Sequence, residues 1–187
     1  MTTTFYFDLL SPYAYLTAMR IEKVLGPNII WQPILLGALM KQNGDVSWAV
    51  TEEREENLRE IEKRRIQYGL PPITYPTDWP QSSLTAMRGA IAAGKQGKIK
   101  EYTFTTYQMT FVEGKNISQP EVVLEAAQRS GLNLEQFTKD IQSSEIKDAL
   151  RIATEKAAQT GVSGVPTIIV DGKVYYGDDQ LDKIKTR

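Results

Sequence analysis

Ser11-Pro12-Tyr13-Ala14 is the segment of this chain best placed to do chemistry. It follows a strand-like run, Phe5-Tyr6-Phe7-Asp8, and opens an apolar, helix-like stretch from Ala14 to Leu25. Serine directly ahead of proline reads as an N-cap followed by a proline in the first helical position. A helix N-terminus favours negative charge, which is why ionised thiols are often held there. This chain has no cysteine and no histidine. A hydroxyl at such a place can instead donate a hydrogen bond to a thiolate carried by another molecule. Lowering a free thiol from a pKa of ~8.5 to ~7 requires roughly 2 kcal/mol of thiolate stabilisation. A hydroxyl donor to a charge contributes ~1.5–3 kcal/mol and a helix end ~0.3–1 kcal/mol, which is the right size. An ordinary N-cap with no further role has the same spacing, and spacing alone does not separate the two. Ser11 is not read as the nucleophile itself, because no histidine or other evident base is available to activate it.

The bulk composition narrows the field. With 187 residues the chain is one domain, or one domain carrying an insertion, and is long enough to bury a core. Hydrophobic residues make up 41% and charged residues 24%, as in ordinary globular proteins. A net charge of −1 suggests neither a nucleic-acid nor an acidic-membrane partner. The missing cysteines exclude disulfides and thiolate metal sites, and the missing histidines remove the commonest zinc ligand and general base, so no metal is expected. Chemistry must then rest on hydroxyls, carboxylates, amines, backbone dipoles or a bound cofactor. Met1-Thr2-Thr3-Thr4 lacks the basic start of a signal peptide, and no run approaches ~18 apolar residues. The expectation is a soluble, cytoplasmic protein.

The elements that must position Ser11 can be read from the pattern. Phe5 to Asp8 is a strand, a helix runs from Ser11-Pro12 until Gly26-Pro27 stops it, and Ile29 to Leu36 is a second, strongly apolar strand. Thr51 to Tyr68 holds eleven charges in eighteen residues. Its Glu55/Arg59 and Glu60/Arg64 pairs at i,i+4 and its stripe of Leu58, Ile61 and Tyr68 predict a solvated helix. Leu84, Met87 and Ile91 mark another helix. Tyr102 to Phe111 is β-like by propensity, yet Phe104, Tyr107 and Phe111 share a helical face, and helix is the choice made here. Ser118-x-x-Glu121 reads as a capping box for a helix ending near Ser130, followed by helices over Asn133–Ser144 and Glu145–Thr160. Pro166 to Val170 and Lys173 to Tyr176 form a hairpin around Asp171-Gly172, and Gly177-Asp178-Asp179 opens a last helix. A β-α-β start and a β-β-α end split by helices predict an α/β, thioredoxin-like fold with a large helical insertion. The thioredoxin-like part spans 1–40 and 145–187, and the insertion spans 41–144.

Together these pieces resemble a family. The carrying residues are Phe5-Tyr6-Phe7-Asp8, Ser11-Pro12-Tyr13-Ala14-Tyr15-Leu16, Leu36-Gly37, Tyr68-Gly69-Leu70-Pro71, Ala86-Met87-Arg88, Gly161-Val162-Ser163-Gly164-Val165-Pro166-Thr167, Asp171-Gly172 and Gly177-x-Asp179. In order and spacing they are similar to the 2-hydroxychromene-2-carboxylate isomerases, relatives of the kappa-class glutathione transferases on a DsbA-like fold. In that fold the first helix commonly starts with C-x-x-C, and here Ser11 occupies its start. The resemblance implies glutathione bound against Ser11, whose sulfur adds reversibly to an aromatic-pathway substrate so that a ring opens and a double bond rotates. It also implies a homodimer.

Within the resemblance, Val165-Pro166 precedes the third strand, where a cis bond would present backbone groups to the extended tripeptide. Asp178 and Asp179 lie where backbone N–H groups suit the γ-glutamyl carboxylate and the Asp179 side chain suits its ammonium. N-capping explains aspartate there equally well. Trp48, Trp79, Tyr13, Tyr15 and Met40 either line an aromatic acceptor pocket or simply pack. The chain departs from its relatives where they tend to carry other residues: Asp45, Gln180, Glu53, Glu56, Glu60 and Ser82. The departures remove positive charge, which argues against an anionic substrate and leaves open whether glutathione or another thiol is used. Three alternatives accompany the isomerase reading. A glutathione transferase-type enzyme on another electrophile shares every residue named, and a non-catalytic module would use the same groove for a partner. A dithiol oxidoreductase is excluded by the absence of cysteine.

Overall fold

Alternation of side chains decides where the sheet begins. In the computed structural model, which describes residues 2–184, β1 (Thr3–Phe7) buries Thr3, Phe5 and Phe7 on one face. It pairs in parallel with β2 (Ile30–Pro33) and antiparallel with β3 (Thr167–Val170), which pairs antiparallel with β4 (Lys173–Tyr176). The four-stranded sheet has the order β2-β1-β3-β4. Phe5, Phe7, Trp31, Phe104 and Tyr107 stack behind it, with Phe5 and Trp31 edge to face at 5.1 Å.

Two expectations near β1 need correction. The first helix is not continuous: α1 (Pro12–Ala18) and α2 (Ile21–Leu25) are separated at Met19 and Arg20. No glycine or proline announces the break. The Arg20 guanidinium there reaches Asp182 at 2.5 Å and lies 3.6 Å above the Tyr68 ring. The second strand is also shorter than its apolar run. Pro33 ends it, and Ile34, Leu35 and Leu36 leave the sheet to start α3 (Leu36–Asn43), a helix missed in the sequence. The Leu35 and Leu36 N–H groups are accepted by Thr154 Oγ1 at 3.0 Å and Asp8 Oδ2 at 2.9 Å. Gly44, at φ 76°, closes α3.

The charged helix, α4 (Arg54–Gln67), is present with Ile61 buried and the Glu60–Arg64 pair made at 2.8 Å. It is followed by α5 (Leu84–Lys95), α6 (Ile99–Phe111), α7 (Pro120–Arg129), α8 (Leu134–Gln142) and α9 (Ser144–Gln159). Helix is correct for α6. Its interior threonines return their hydroxyls to the helix, Thr106 to the Tyr102 carbonyl and Thr110 to that of Thr106, both at 2.7 Å. The capping box does not form. Pro120 begins α7 and Gln119 holds the cap position, while the Ser118 hydroxyl donates to Asn116 Oδ1 at 2.6 Å. The final segment, Asp178–Lys183, is a 3-10 helix rather than an α-helix. One hydrophobic core joins the sheet to α5, α6 and α9, and residues 40 and 41 both lie within α3.

Candidate functional site

Asp8 is the residue that builds the site. It directly follows the buried strand β1 and is 1% exposed. Its Oδ1 accepts the Leu10 N–H at 2.9 Å, and its Oδ2 accepts the Leu36 N–H at 2.9 Å and the Ser83 hydroxyl at 3.0 Å. Its backbone carbonyl accepts the Ser11 N–H at 3.1 Å and the Tyr107 hydroxyl at 3.0 Å. The loop before α1, the start of α3 and the start of α5 are thereby tied to one point. Burial pushes the Asp8 carboxyl up from the ordinary aspartate range, with these donors pulling the other way. In the sequence Asp8 stands out only as the end of the first strand run and as part of a segment that carries the resemblance, with no role of its own. A carboxylate ending an otherwise apolar buried strand was the signal that could have singled it out.

Ser11 is the N-cap of α1, as expected, and is 7% exposed. Its Oγ accepts the Ala14 N–H at 3.2 Å, which leaves the hydroxyl proton to be donated. Pro12 has no N–H and that of Ala14 is engaged by Ser11, so the short α1 can offer at most the Tyr13 N–H to a ligand. Ser11 therefore carries most of any thiolate stabilisation at this point.

Ser11 opens onto a cleft of about 600 Å³. Its walls are the β1–α1 loop, the start of α3, the loop Asp45–Ala49, the segment Trp79–Leu84, the segment Ser163–Val165 and Tyr176. The Val165–Pro166 bond is cis, as the resemblance implies, and a second cis bond, Trp79–Pro80, was not anticipated. Val165 lines the cleft beside Ser11, whereas Pro166 is buried behind it. Of the five candidates for an aromatic pocket, Trp48, Trp79 and Met40 line the cleft. Tyr15 does not, being buried against Tyr107 and Phe111. Tyr13 faces a separate depression beside Asn57, to which its hydroxyl donates at 2.8 Å, and burial raises its pKa to about 12. Tyr176 was missed. It projects from the edge strand β4, more than half exposed, and its ring is packed against Gly164. Burial of its hydroxyl, then the nearby Asp45 charge, raise its pKa.

The paired aspartates separate. Asp178 is fully buried: its carboxylate accepts from Arg64 Nη1 and, at 3.0 Å, from the Tyr68 hydroxyl. Desolvation raises its pKa against the pull of Arg64. That carboxylate fastens the final 3-10 segment to α4, so the side chain is committed to the fold. Asp179 is 46% exposed and accepts from Gln180 at 2.7 Å and Lys183 at 3.3 Å. Neither lines the cleft, although Arg64 bridges them to the Tyr13 ring, its guanidinium 5.5 Å from the centroid. Among the described residues, no cluster of three or more acidic side chains is arranged to hold a metal ion, and no helix is long and apolar enough to cross a membrane.

A serine in the first-helix position, a cis proline before β3 and helices inserted between the two halves of the sheet fit one group of proteins. The sequence matches the profile of the DSBA-like thioredoxin domain over residues 2–187. The chain belongs to that family. Human glutathione S-transferase kappa 1 is 24% identical over 198 residues, 97% of this chain and 88% of its own. The 2-hydroxychromene-2-carboxylate isomerase of Sphingobium xenophagum is 23% identical over 191 residues, 99% of this chain and 96% of its own. A solved 2-hydroxychromene-2-carboxylate isomerase superposes with a TM-score of 0.86 at 22% identity, covering 97% of this chain and 91% of that one. The cytosolic disulfide reductase DsbM from Pseudomonas aeruginosa, solved with GSH, superposes with a TM-score of 0.65 at 15% identity, covering 98% and 93%. The relatives thus include isomerases and a glutathione transferase, and the shared fold runs the length of the chain.

Proposed function

We propose that the protein is a glutathione-dependent enzyme of the isomerase or transferase kind, with the bound thiolate held at Ser11. The observation that supports this most is the Ser11 hydroxyl. It is oriented by the Ala14 N–H, its proton is available, and it borders a cleft large enough for a tripeptide and an acceptor. In a chain without cysteine, that donor has a bound thiol as its natural partner. Ser11 holds the proton of its hydroxyl toward the sulfur and so favours the thiolate over the thiol. The backbone of Val165, ahead of Pro166, aligns the cysteinyl unit. The γ-glutamyl end extends beyond the cleft, to the backbone at Asp178 and the carboxylate of Asp179, neither of which lines it. The description of DsbM with GSH and of a glutathione transferase among the relatives supports glutathione as that thiol.

Held there by Ser11 and the backbone of Val165, glutathione would supply a thiolate for reversible addition to a conjugated carbon of the substrate in the isomerase form, or for displacement of a leaving group in the transferase form. A soluble homodimer acting on a small aromatic electrophile completes the reading, and sedimentation of the purified chain tests the dimer.

Calorimetric titration with reduced glutathione, run with Ser11→Ala in parallel, tests the core of the proposal. Wild type binds with release of a proton, and the thiolate absorbance of the complex persists to lower pH than that of free glutathione. Ser11→Ala raises the pKa of the bound thiol by roughly 1–2 units, the loss of one hydroxyl donor to a charge. Absence of binding at the highest soluble glutathione concentration, or an unchanged thiol pKa in Ser11→Ala, overturns it.

A further inference from the structure

Asp8 joins two serines of opposite polarity. Its backbone carbonyl accepts the Ser11 N–H at 3.1 Å, and its carboxylate accepts the Ser83 hydroxyl at 3.0 Å. All three residues line the cleft. The Ser11 Oγ is engaged by the Ala14 N–H, so Ser11 meets a ligand as a donor. Ser83 is the reverse. It holds the N-cap position of α5, yet its hydroxyl makes no cap bond to the helix and donates to Asp8 Oδ2 instead. With its proton committed to Asp8, the Ser83 lone pairs remain for a donor brought by a ligand.

The carboxylate behind Ser83 is reached through that hydroxyl. Asp8 is 1% exposed against 7% for Ser83. Its Oδ1 accepts the Leu10 N–H, and its Oδ2 accepts the Leu36 N–H and the Ser83 hydroxyl. Backbone N–H groups keep their protons, whereas a hydroxyl accepts on one side as it donates on the other. A proton arriving at Ser83 Oγ therefore releases the serine's own proton to Asp8. Once Asp8 is neutral the pair reverses, and Ser83 faces the cleft as a donor. Desolvation holds the Asp8 pKa above the ordinary aspartate range, toward the range that suits proton transfer. The titratable and charged groups around the pair are the Tyr107 hydroxyl on the Asp8 carbonyl, Asp45 and Glu53 on the cleft wall, and the Arg54 guanidinium, 5.1 Å from the Trp79 ring centroid.

We propose that Ser83 is a further catalytic residue, which receives a weakly acidic hydroxyl of the acceptor substrate and passes its proton to Asp8. The substrate O–H bond breaks as an O–H bond forms to Ser83 Oγ, while the Ser83 O–H bond breaks as one forms to Asp8 Oδ2. The electron pair stays on the substrate oxygen, Asp8 becomes the neutral acid, and the reverse transfer restores both. Ser83 touches the substrate, and Asp8 is a positioning residue that acts through it. This rests on the reading of the cleft as the site of a thiol-dependent enzyme, in which Ser11 serves the thiol and Ser83 the acceptor. Hydrogen bonding at Ser83 itself needs no thiol, so the two can be tested apart.

The experiment titrates phenol and its methyl ether, anisole, into the full-length protein, read by tryptophan fluorescence, with and without glutathione. Trp48 and Trp79 border the cleft, whereas Trp31 lies in the core. Anisole keeps the oxygen of phenol and lacks its proton. At neutral pH wild type should prefer phenol roughly tenfold, the worth of one hydrogen bond to a hydroxyl backed by a charge. The preference should fade as pH falls through the raised Asp8 pKa, because Ser83 then donates and both probes can accept. Ser83→Ala should bring the two probes within about twofold of each other at every pH, and Ser83→Thr, which keeps the hydroxyl, should retain the preference. Both variants leave the Leu10 and Leu36 N–H groups on Asp8, and circular dichroism checks that they are folded. A preference that survives Ser83→Ala, one that ignores pH while the protein stays folded, an equal loss in Ser83→Thr, or no binding of phenol by wild type overturns the inference. If the phenol preference behaves as expected but glutathione does not bind, the glutathione reading falls and the Ser83–Asp8 pair stands. If glutathione binds and phenol is not preferred, the reverse holds.

Discussion

Asp178 and Asp179 are adjacent, chemically identical and predicted to behave in opposite ways. Asp178→Ala removes a buried carboxylate bonded to Arg64 and Tyr68. Breaking a buried ion pair by deleting one partner costs ~3–5 kcal/mol, because the other charge is left without compensation. Two features bring the figure to the lower end. The Arg64 side chain is 22% exposed, so water can reach it, and it keeps Glu60 at 2.8 Å. The expectation is about 3 kcal/mol, and at ~2–4 °C per kcal/mol for a chain of this length the Tm falls by about 6–12 °C. Asp178→Asn preserves volume and one acceptor and should fall between wild type and Asp178→Ala. Tyr68→Phe loses one bond to a charged group, about 1.5 kcal/mol, and combines with Asp178→Ala less than additively because the two share that bond. Asp179→Ala touches an exposed carboxylate and should shift stability by no more than about 0.5 kcal/mol. It should instead weaken glutathione by about tenfold, the loss of one charge-assisted bond. Thermal and urea unfolding followed by circular dichroism, with glutathione calorimetry on the same samples, reads both effects. A fall in Tm below about 3 °C for Asp178→Ala, or equal destabilisation by the two variants, refutes the assignment of Asp178 as a fastener.

Other outcomes follow from single contacts. Gly164→Ala places a methyl group 2.8 to 3.0 Å from the Tyr176 ring, which is exposed enough to swing aside. The Tm should move by no more than about 2 °C while glutathione binding changes severalfold, and an unaltered affinity would show that Tyr176 has no part in the cleft's function. Gly89→Ala drives a methyl into the buried Tyr102 ring, which is also held by the Ala86 carbonyl at 3.2 Å. About 1–3 kcal/mol of overpacking should appear in urea unfolding, and a neutral result would mean that α5 and α6 have room to separate. Burial raises the Asp8 pKa above its unfolded value of 3.8, so the folded state holds the proton more tightly. The stability of wild type relative to Asp8→Asn should therefore decline as pH rises from 3.8 through the raised folded pKa. A relative stability that climbs over that interval contradicts the dominance of desolvation.

How much of this was legible in the residues differs between the two ends and the middle. β1, β3, β4 and the cap at Ser11 could be read because alternation, the Asp171-Gly172 turn and the Ser-Pro pair are local signals. The start of α3 could not, since Ile34, Leu35 and Leu36 continue an apolar run, and what turns them off the sheet is the Asp8 carboxylate 28 residues earlier in the chain. The break after Ala18 was hidden for the same reason, because Arg20 reaches Asp182, 162 positions away. Propensity has no access to partners at such separations. The site divides along the same line. Ser11 and the cis bond at Val165–Pro166 are properties of short motifs, whereas Tyr176, Asp8 and Gln81 come to the cleft only through the sheet order and the loops packed on it.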